Sequence, residues 1–443
     1  MLPPPSRKLI AHVDMNSFFA SVEQQANPFL RGEPIGVCAY LHNYGCIIAS
    51  SIEAKRLGVK AGTTVEKARE LCPRIKLVQN DPPKYRSVSS KVFSMLSELT
   101  DRMEVYSIDE AFLDLTDWYR DPAEAAWALI KIRRRITEEV GDWLRCSIGI
   151  APTRFLAKTA SDLEKPNGLV VLNQDNLDDV LGRLDLEDVC GIGPRIRKRL
   201  ERAGMRTLMD VKRYPPANLM RLFGKYGLFL WCKLHGMEFE RVSTQEELPP
   251  KSIGHSYCVP RRVNREKKVL PVLVRLTERA GRRMRREGMY AGKISVSVGF
   301  RTPTGPRPTG PFWNPIRDGD AGGFEYTHLD EPAQDSFTLV AEACRLLESM
   351  WSGQEVNFLA VTFSDLSVPN GQQRIPSIVQ PKFDRLDDPK RERQRLVSNA
   401  VDFVRDRYGD ESIVLGSMFR LGDEAPDRIG FRKTTGLDII RAP

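Results

Sequence analysis

In the first third of the chain, the spacing of apolar residues is typical of β-strands in some segments and of α-helices in others. The segment KLIAHVD, which ends at Asp14, is nearly continuously apolar and predicts a strand buried on both faces. The segment VYSIDEAFLDL alternates apolar and polar positions and predicts two strands on either side of Asp109 and Glu110. Helical stretches alternate with two further strands after it. With a long insertion at residues 18–81, this order predicts an α+β domain with helices on one face of a mostly antiparallel sheet.

Asp109 and Glu110 are neighbouring carboxylates in the middle of a strand pattern. Successive side chains of a strand point to opposite faces, so two such neighbours converge only at a tight turn. A turn here would let the end of the first strand bring Asp14 beside them. Three clustered carboxylates raise each other's pKa unless a cation neutralises them, and hard oxygen ligands suit Mg²⁺. Two such ions serve in-line displacement at phosphorus. Taken alone, the dipeptide also fits a solvated hairpin turn.

Length and charge narrow the class of protein. A chain of 443 residues predicts three or more domains, and a net charge of +9 favours a polyanionic partner such as nucleic acid. The eight cysteines are scattered without a CxxC pair, which argues against a zinc site. The N-terminus lacks the apolar core of a signal peptide, and no segment reaches the roughly 18 apolar residues of a membrane span. These observations predict a cytoplasmic protein with no membrane partner.

Residues 185–204 (DLEDVCGIGPRIRKRLERAG) predict a short helix, a glycine turn and a second helix. Gly191 and Gly193 permit the tight turn, because glycine accepts backbone conformations that other residues avoid. Backbone N–H groups at the start of the second helix bind phosphate, and Arg195 and Lys198 lie beside them. The stretch looks like a helix-hairpin-helix motif, which grips a DNA backbone without reading its sequence. A glycine turn between two packed helices is the alternative.

Residues 261–293 carry twelve Lys or Arg against three Glu. Leu273, Leu276, Ala280 and Met284 would form an apolar stripe on this predicted helix. Five arginines lie elsewhere on it: Arg275, Arg279, Arg282, Arg283 and Arg286. The density of one sign of charge predicts a surface that binds the DNA backbone. An ordinary solvated helix face is the alternative.

Four segments in this order and spacing resemble the Y-family DNA polymerases, with the DinB (DNA polymerase IV) branch as the best match. They are HVDMNSFFASVE, YSIDEAFLDL, KPNG at 165–168 and CGIGPRIRKRL. The resemblance covers about residues 7–366 and implies template-directed translesion synthesis with low fidelity and no proofreading. It also implies a multidomain α+β right-hand polymerase. The implied domains are a ferredoxin-like palm (1–17 and 82–172), fingers (18–81), a helical thumb (173–242), a linker (243–252), a little finger (253–366) and a C-terminal extension (367–443).

The resemblance also implies roles for individual residues. Asp14, Asp109 and Glu110 match the catalytic carboxylates, which hold two Mg²⁺ together with the backbone carbonyl of Met15. Mn²⁺ is an accepted substitute for Mg²⁺. Phe19, next to Phe18, matches the residue whose ring excludes a ribose 2′-hydroxyl. Lys165 matches the lysine that reaches the incoming triphosphate.

The fingers depart from the family pattern of hydroxyl-x-x-Tyr-x-x-Arg, because this chain reads ASSIEAK there. Ala49 replaces the hydroxyl, Ile52 the tyrosine and Lys55 the arginine. Ser50 and Arg56, one place along, are candidate substitutes beside Lys55 for contacts with the triphosphate.

The implied partners are primer-template DNA, deoxynucleoside triphosphates and a sliding clamp, and the expected state is a monomer. The clamp motif is expected in the tail, where QPKFDRL, from Gln380 to Leu386, is a poor copy. The tail also contains a helical pattern with Leu396 and Tyr408 on one side. Residues 302–323 are rich in Pro and Gly and predict a long loop. Two alternatives remain open: a catalytically silent relative that binds DNA as a scaffold, and a nucleotidyl cyclase.

Overall fold

The computed structural model describes residues 8–43, 45–243, 250–301, 322–368, 389–419, 421–422 and 424–425. Its N-terminal part contains β1 (Ile10–Met15), α1 (Phe18–Ala26), β2 (Ile35–Cys38), β3 (Ile47–Ser50), α2 (Ile52–Arg56), α3 (Val65–Leu71), β4 (Lys76–Gln79), α4 (Pro82–Leu96), β5 (Met103–Val105), β6 (Glu110–Asp114), α5 (Pro122–Arg135), β7 (Cys146–Ala151), α6 (Arg154–Leu163) and β8 (Leu169–Val171). A helical part follows, with α7 (Leu177–Leu181), α8 (Pro194–Arg202), α9 (Leu208–Arg213), α10 (Pro216–Phe223) and α11 (Lys225–Leu234). The C-terminal part contains β9 (Ser252–Cys258), α12 (Arg261–Arg265), α13 (Val269–Arg286), β10 (Tyr290–Phe300), β11 (Gly322–Ala333), α14 (Ser336–Met350), β12 (Val356–Ser367) and α15 (Pro389–Tyr408).

The first sheet has the strand order β5-β6-β1-β7-β8 and is antiparallel except between β7 and β8. The predicted mostly antiparallel sheet is therefore confirmed. The prediction that its helices share one face is wrong. Val13 packs in one core with Leu129 of α5, whereas Ile10 packs in another with Leu156 of α6. A side chain at Gly149 of β7 would collide with the backbone of α6, so this glycine lets α6 lie directly on the sheet.

The insertion after β1 contains a separate small sheet of order β3-β2-β4. Its own core joins Cys38, Ile47, Ala54 and Val65, which are all buried. The helix α1 packs instead in the core of the first sheet. Ile35, Val37 and Ile48 of the small sheet also pack in the core of the first sheet, so the insertion has a core of its own and a face shared with its neighbour.

The C-terminal sheet has the order β11-β10-β12-β9 and is antiparallel throughout. One of its faces is covered by α13 and α14, because alternate residues such as Ile294 and Val296 pack with Leu276 and Leu339. Met418, far along the tail, is buried in this same core. The described residues of the tail after α15 therefore contribute to the core of the C-terminal sheet and its helices.

The helix α15 buries a polar face, whereas the sequence pattern favours burial of its apolar face. Its buried residues are Ser398, Asp402 and Arg405, while Leu396 and Tyr408 are exposed. Polar groups face inward because they meet the arginines of α13. Within the described residues, no helix combines the length and the apolar character needed to cross a membrane.

Candidate active site

The predicted carboxylates meet where β1 ends and β6 begins. Asp14 lies opposite Glu110 in the strand register, and the Met15 N–H donates to the Asp109 carbonyl at 2.9 Å. Burial, followed by the negative charge of Asp14, raises the pKa of Asp109 to about 7. The Ser107 hydroxyl donates to Asp109 and opposes this rise. The turn therefore brings all three acidic residues to one end of the sheet, as the sequence predicts.

Glu110 has two cationic or donating neighbours. His12 Nε2 lies 3.0 Å from Glu110 Oε2, and Lys158 of α6 contacts the same oxygen. Burial alone would raise the pKa of Glu110, but the His12 hydrogen bond and the Lys158 charge outweigh it and hold that pKa at about 2. Burial also lowers the pKa of His12. Glu110 is therefore ionised and held firmly by its neighbours.

The oxygen donors of this site suit a hard divalent cation. Asp14 and Asp109 repel each other, which is the arrangement that a bound cation would relieve. As the side chains lie, no group of three His, Cys, Asp or Glu in the described part of the chain could hold a metal ion. Lysines contact two of the carboxylates instead: Lys158 contacts Glu110, and Lys165 Nζ lies 2.9 Å from Asp14 Oδ2. The donor chemistry fits Mg²⁺, with ammonium groups standing beside the carboxylates.

Two lysines from different parts of the chain face these acids. Lys165 contacts both Asp14 and Asp162, the latter at 2.7 Å. Burial, followed by the positive charge of Lys165, lowers the pKa of Lys55. The negative charges of Asp14 and Asp109 act in the opposite direction and raise it. Lys55 and Lys165 therefore lie near each other and near the carboxylates.

The other candidate phosphate contacts in the fingers differ from this pair. Ser50 is fully buried, and its hydroxyl has no hydrogen-bond partner among the described residues. This burial contradicts its expected contact with a triphosphate: Ser50 lies on β3, with its side chain inside the fold. Arg56 is exposed at the end of α2. Lys55, in contrast, interacts electrostatically with Asp14 and Asp109.

Phe19 lies in an aromatic cluster next to the carboxylates. Its ring stacks on Tyr85 with centroids 4.4 Å apart and an interplanar angle of 16°, and Phe18 lies 5.7 Å away. The Tyr85 hydroxyl donates to Glu23 at 2.7 Å, which fixes the ring behind Phe19. Phe19 is 7% exposed and Phe18 only 3%. Phe19 thus presents a small, rigidly supported part of its ring at the surface.

Comparisons with known proteins agree with this geometry. Residues 13–162 match the model of the impB/mucB/samB family, and residues 250–376 match the C-terminal domain of the same family. The DNA polymerase IV of Desulfatibacillum aliphaticivorans is 32% identical, over 92% of this chain and 96% of the relative. The DNA polymerase IV 1 of Halalkalibacterium halodurans is 30% identical, over 96% and 97% of the two chains.

Among solved structures, a Y-family DNA polymerase chimera of Dbh and Dpo4 matches with a TM-score of 0.68 and 25% identity. The match covers 81% of this chain and 99% of the chimera. The chain belongs to the Y family of DNA polymerases. Within that family it is of the DinB type, and its activity is that of a DNA-directed DNA polymerase in translesion synthesis.

The segment at residues 185–204 has the predicted glycine turn before its second helix. Gly191 adopts a φ of 101°, which favours glycine, and Gly193 directly precedes α8. The predicted first helix is a single 3₁₀ turn, Leu186–Asp188. Arg195 and Lys198 are exposed on α8. The geometry leaves both side chains at the surface, beside the N-terminus of the helix.

The arginines of α13 contradict the predicted outward basic surface. Arg275 is 5% exposed and Arg282 is 9% exposed. Most of their partners belong to the tail. Arg275 contacts Glu411 and the carbonyls of Gly422 and Glu424, and Arg279 contacts the carbonyl of Ala425. Arg282 contacts Asp406 and Asp410, Arg286 contacts Asp406, and Arg283 contacts the carbonyl of Gly254 on β9. Because acidic side chains and carbonyls from elsewhere in the chain contact these arginines, the helix is a docking face for the tail. The predicted outward surface is therefore wrong for the buried Arg275 and Arg282, whereas Arg283 and Arg286 stay exposed.

Sequence reasoning missed several residues that shape the site. Asn16 donates to Ser147 Oγ at 3.0 Å and accepts from the Asn167 N–H at 2.8 Å, which anchors the loop that carries Lys165. His12 and Lys158 hold Glu110, as described above. The segments with the clamp-like motif at 380–386 and most of the Pro- and Gly-rich loop lie outside the described residues.

Proposed function

We propose that this polymerase extends a DNA primer at a site formed by Asp14, Asp109, Glu110 and the Met15 carbonyl. The convergence of Asp14 and Asp109 carries the proposal, because burial and their mutual repulsion raise the pKa of Asp109 to about 7. A surface acidic pair without function would not be expected to be buried in this way. The substrates are a primer-template DNA and a deoxynucleoside triphosphate.

These four groups would hold two Mg²⁺, with Mn²⁺ as a substitute. When bound, the ions would supply the Lewis-acid chemistry that assists displacement at the α-phosphate by the primer 3′-hydroxyl. Asp109 and Asp14 supply the negative charge that attracts them. Glu110 stays ionised because His12 and Lys158 stabilise its carboxylate.

Lys55 and Lys165 would bind the triphosphate of the incoming nucleotide. Both are cationic and lie beside the carboxylates, so they would neutralise phosphate charge next to the reacting centre. A lysine is a compact point charge, whereas the arginine common at the Lys55 position grips two phosphate oxygens. We therefore expect weak nucleotide binding compared with relatives that have the arginine. Phe19, backed by Tyr85, would exclude a ribose 2′-hydroxyl.

The remaining assignments extend the proposal to the whole chain. The domain limits are 1–17 and 82–172 for the palm, 18–81 for the fingers, 173–242 for the thumb and 253–366 for the little finger. Exposed Arg195 and Lys198 in the thumb would contact DNA phosphates. A contact of the tail with a sliding clamp, a monomeric state and a cytoplasmic location are proposed from the sequence alone.

Primer extension tests the carboxylate assignment and also separates a working enzyme from a silent scaffold. Asp109→Asn removes one negative charge while keeping size, and should abolish extension. Its primer-template affinity should stay within about threefold of wild type, because phosphate contacts elsewhere carry that affinity. Asp142→Asn, an exposed residue paired with Arg31, is the control and should extend normally. Near-normal extension by Asp109→Asn would refute the assignment.

A further inference from the structure

A buried hydrogen-bond network of three side chains includes Glu110. His12 of β1 is fully buried, and its ring packs against Phe112 with centroids 4.5 Å apart. Its Nε2 lies 3.0 Å from Glu110 Oε2, and its Nδ1 lies 2.7 Å from Ser161 Oγ on α6. The network therefore connects the Glu110 carboxylate, the His12 imidazole and the Ser161 hydroxyl.

The partners decide which ring nitrogen carries the proton. An ionised carboxylate only accepts hydrogen bonds, so Nε2 must donate to Glu110. Nδ1 of the neutral ring then accepts, and the Ser161 hydroxyl is the group that donates to it. The Lys158 carbonyl lies 2.8 Å from the same oxygen and competes for its single proton. When the Ser161 hydroxyl donates to Nδ1, it stabilises the tautomer that places a donor against Glu110.

The order Glu–His–Ser is also that of an acid, a base and a nucleophile. That function does not fit here, because Ser161 is 1% exposed and His12 is 0% exposed, so no substrate reaches the hydroxyl. The network instead supports the Glu110 carboxylate from its buried side. Such supporting hydrogen bonds orient ligands in metal sites.

We propose that His12 and Ser161 are positioning residues that fix Glu110 in the orientation in which it binds the divalent ion. The inference rests on the proposed function, because it requires Glu110 to be a metal ligand. Lys158 and His12 both contact Oε2, and no donor among the described residues lies on Oε1. The side chain is thereby held through Oε2, and Oε1 would be the oxygen available to bind an ion.

The contact with His12 has a direct energetic consequence. Without it, Lys158 would remain as the contact on Oε2, the carboxylate would gain rotational freedom, and binding an ion would require more ordering. Loss of such a supporting partner typically lowers metal affinity or activity about 10–100-fold. We expect the loss to appear in ion binding and in the Mg²⁺ dependence of catalysis, and not in the affinity for DNA.

Electron paramagnetic resonance of free Mn²⁺ tests this without relying on activity. The full-length protein with primer-template DNA is titrated with Mn²⁺, and Mg²⁺ dependence of single-nucleotide insertion is measured in parallel. His12→Phe, whose ring suits the site beside Phe112, should weaken Mn²⁺ binding about tenfold or more. His12→Gln keeps an amide donor and should recover part of the affinity. Ser161→Ala, which frees the tautomer only, should have a smaller effect.

Thr159→Val is the matched control, because Thr159 is buried on α6 and bonds only to the Phe155 carbonyl. Unchanged Mn²⁺ affinity and Mg²⁺ dependence in both His12 variants would overturn the inference and leave His12 as core packing. Glu110→Gln separates the two hypotheses. If Glu110→Gln keeps full Mn²⁺ affinity, the proposed metal site fails. If Glu110→Gln loses affinity while His12→Phe does not, only the positioning role fails.

Discussion

Two helices of this polymerase look alike in sequence and differ in what their charges do. α8 and α13 are both rich in arginine and both follow turn-forming residues. On α8, Arg195 and Lys198 are exposed near the helix N-terminus. On α13, Arg275 and Arg282 are buried and paired with groups of the C-terminal tail. One helix presents its charges to the solvent, and the other uses them to hold the protein together.

The difference comes from acidic residues that are remote in sequence. Arg282 contacts Asp406, which is 124 residues away along the chain, and Arg285 contacts Asp402, which is 117 residues away. On α8, by contrast, Arg195 and Lys198 keep their side chains exposed at the surface. The density of positive charge on a helix therefore does not distinguish a nucleic-acid surface from an internal ionic interface. The location of the complementary charge does.

The largest expected effect concerns the most buried pair of this interface. Arg405 Nη1 lies 3.1 Å from Glu278 Oε2, and the side chains are only 6% and 5% exposed. Glu278→Leu would leave Arg405 buried without its counter-charge, which should destabilise the docked tail by about 3–5 kcal/mol. Hydrogen exchange of the α15 amides measures this loss as a local opening free energy.

The double variant Glu278→Leu with Arg405→Met is its control. Replacing both charges by apolar side chains of similar size removes the unpaired group, so most of the protection should return. If Glu278→Leu alone exchanges like wild type, the pair does not hold α15.

A second prediction converts the buried helix face into an exposed one. Asp402→Asn, Asp406→Asn and Asp410→Asn together would release the α13 arginines from their partners. The triple variant should therefore elute from heparin at higher salt than wild type. The control replaces Asp101, Asp117 and Asp142 by Asn, three exposed residues elsewhere, and alters the net charge equally. Equal elution of the two triple variants would show that net charge alone sets heparin binding.

The smallest expected effect concerns an exposed pair. Arg134 lies on α5, and Glu138 lies on the π-helical turn that follows it. Arg134 Nε is 2.7 Å from Glu138 Oε1, and the two side chains are 79% and 55% exposed. Water screens such a pair, so Glu138→Gln should leave exchange of the α5 amides unchanged within error. A loss as large as that of Glu278→Leu would mean that burial does not decide the strength of these pairs.

The parts of the site that depend on local structure were predictable from sequence. Asp14, Asp109 and Glu110 come together because a strand end and a tight turn are both encoded within a few residues. The glycine conformation at Gly191 is local in the same sense. The burial of Ser50 was not anticipated, because which face of a short strand is covered depends on packing with the rest of the insertion.

The long-range parts could not be predicted from one chain's pattern. His12 reads as one polar interruption in a buried strand, and its partner Ser161 is 149 residues away. The inward-facing Asp402 and Arg405 make sense only once α13 lies opposite them. Hydrophobic periodicity also favours the wrong face of α15, because its buried side is ionic.

The salt dependence of primer-template binding tests the contrast between the two helices most directly. Two double variants remove the same charge from exposed positions: Arg195→Gln with Lys198→Gln on α8, and Arg283→Gln with Arg286→Gln on α13. Each lost phosphate contact lowers the slope of log K against log salt by about 0.9. Our prediction is a slope smaller by about 2 for the α8 variant and no change for the α13 variant. A reduced slope for the α13 variant with an unchanged slope for the α8 variant would contradict it.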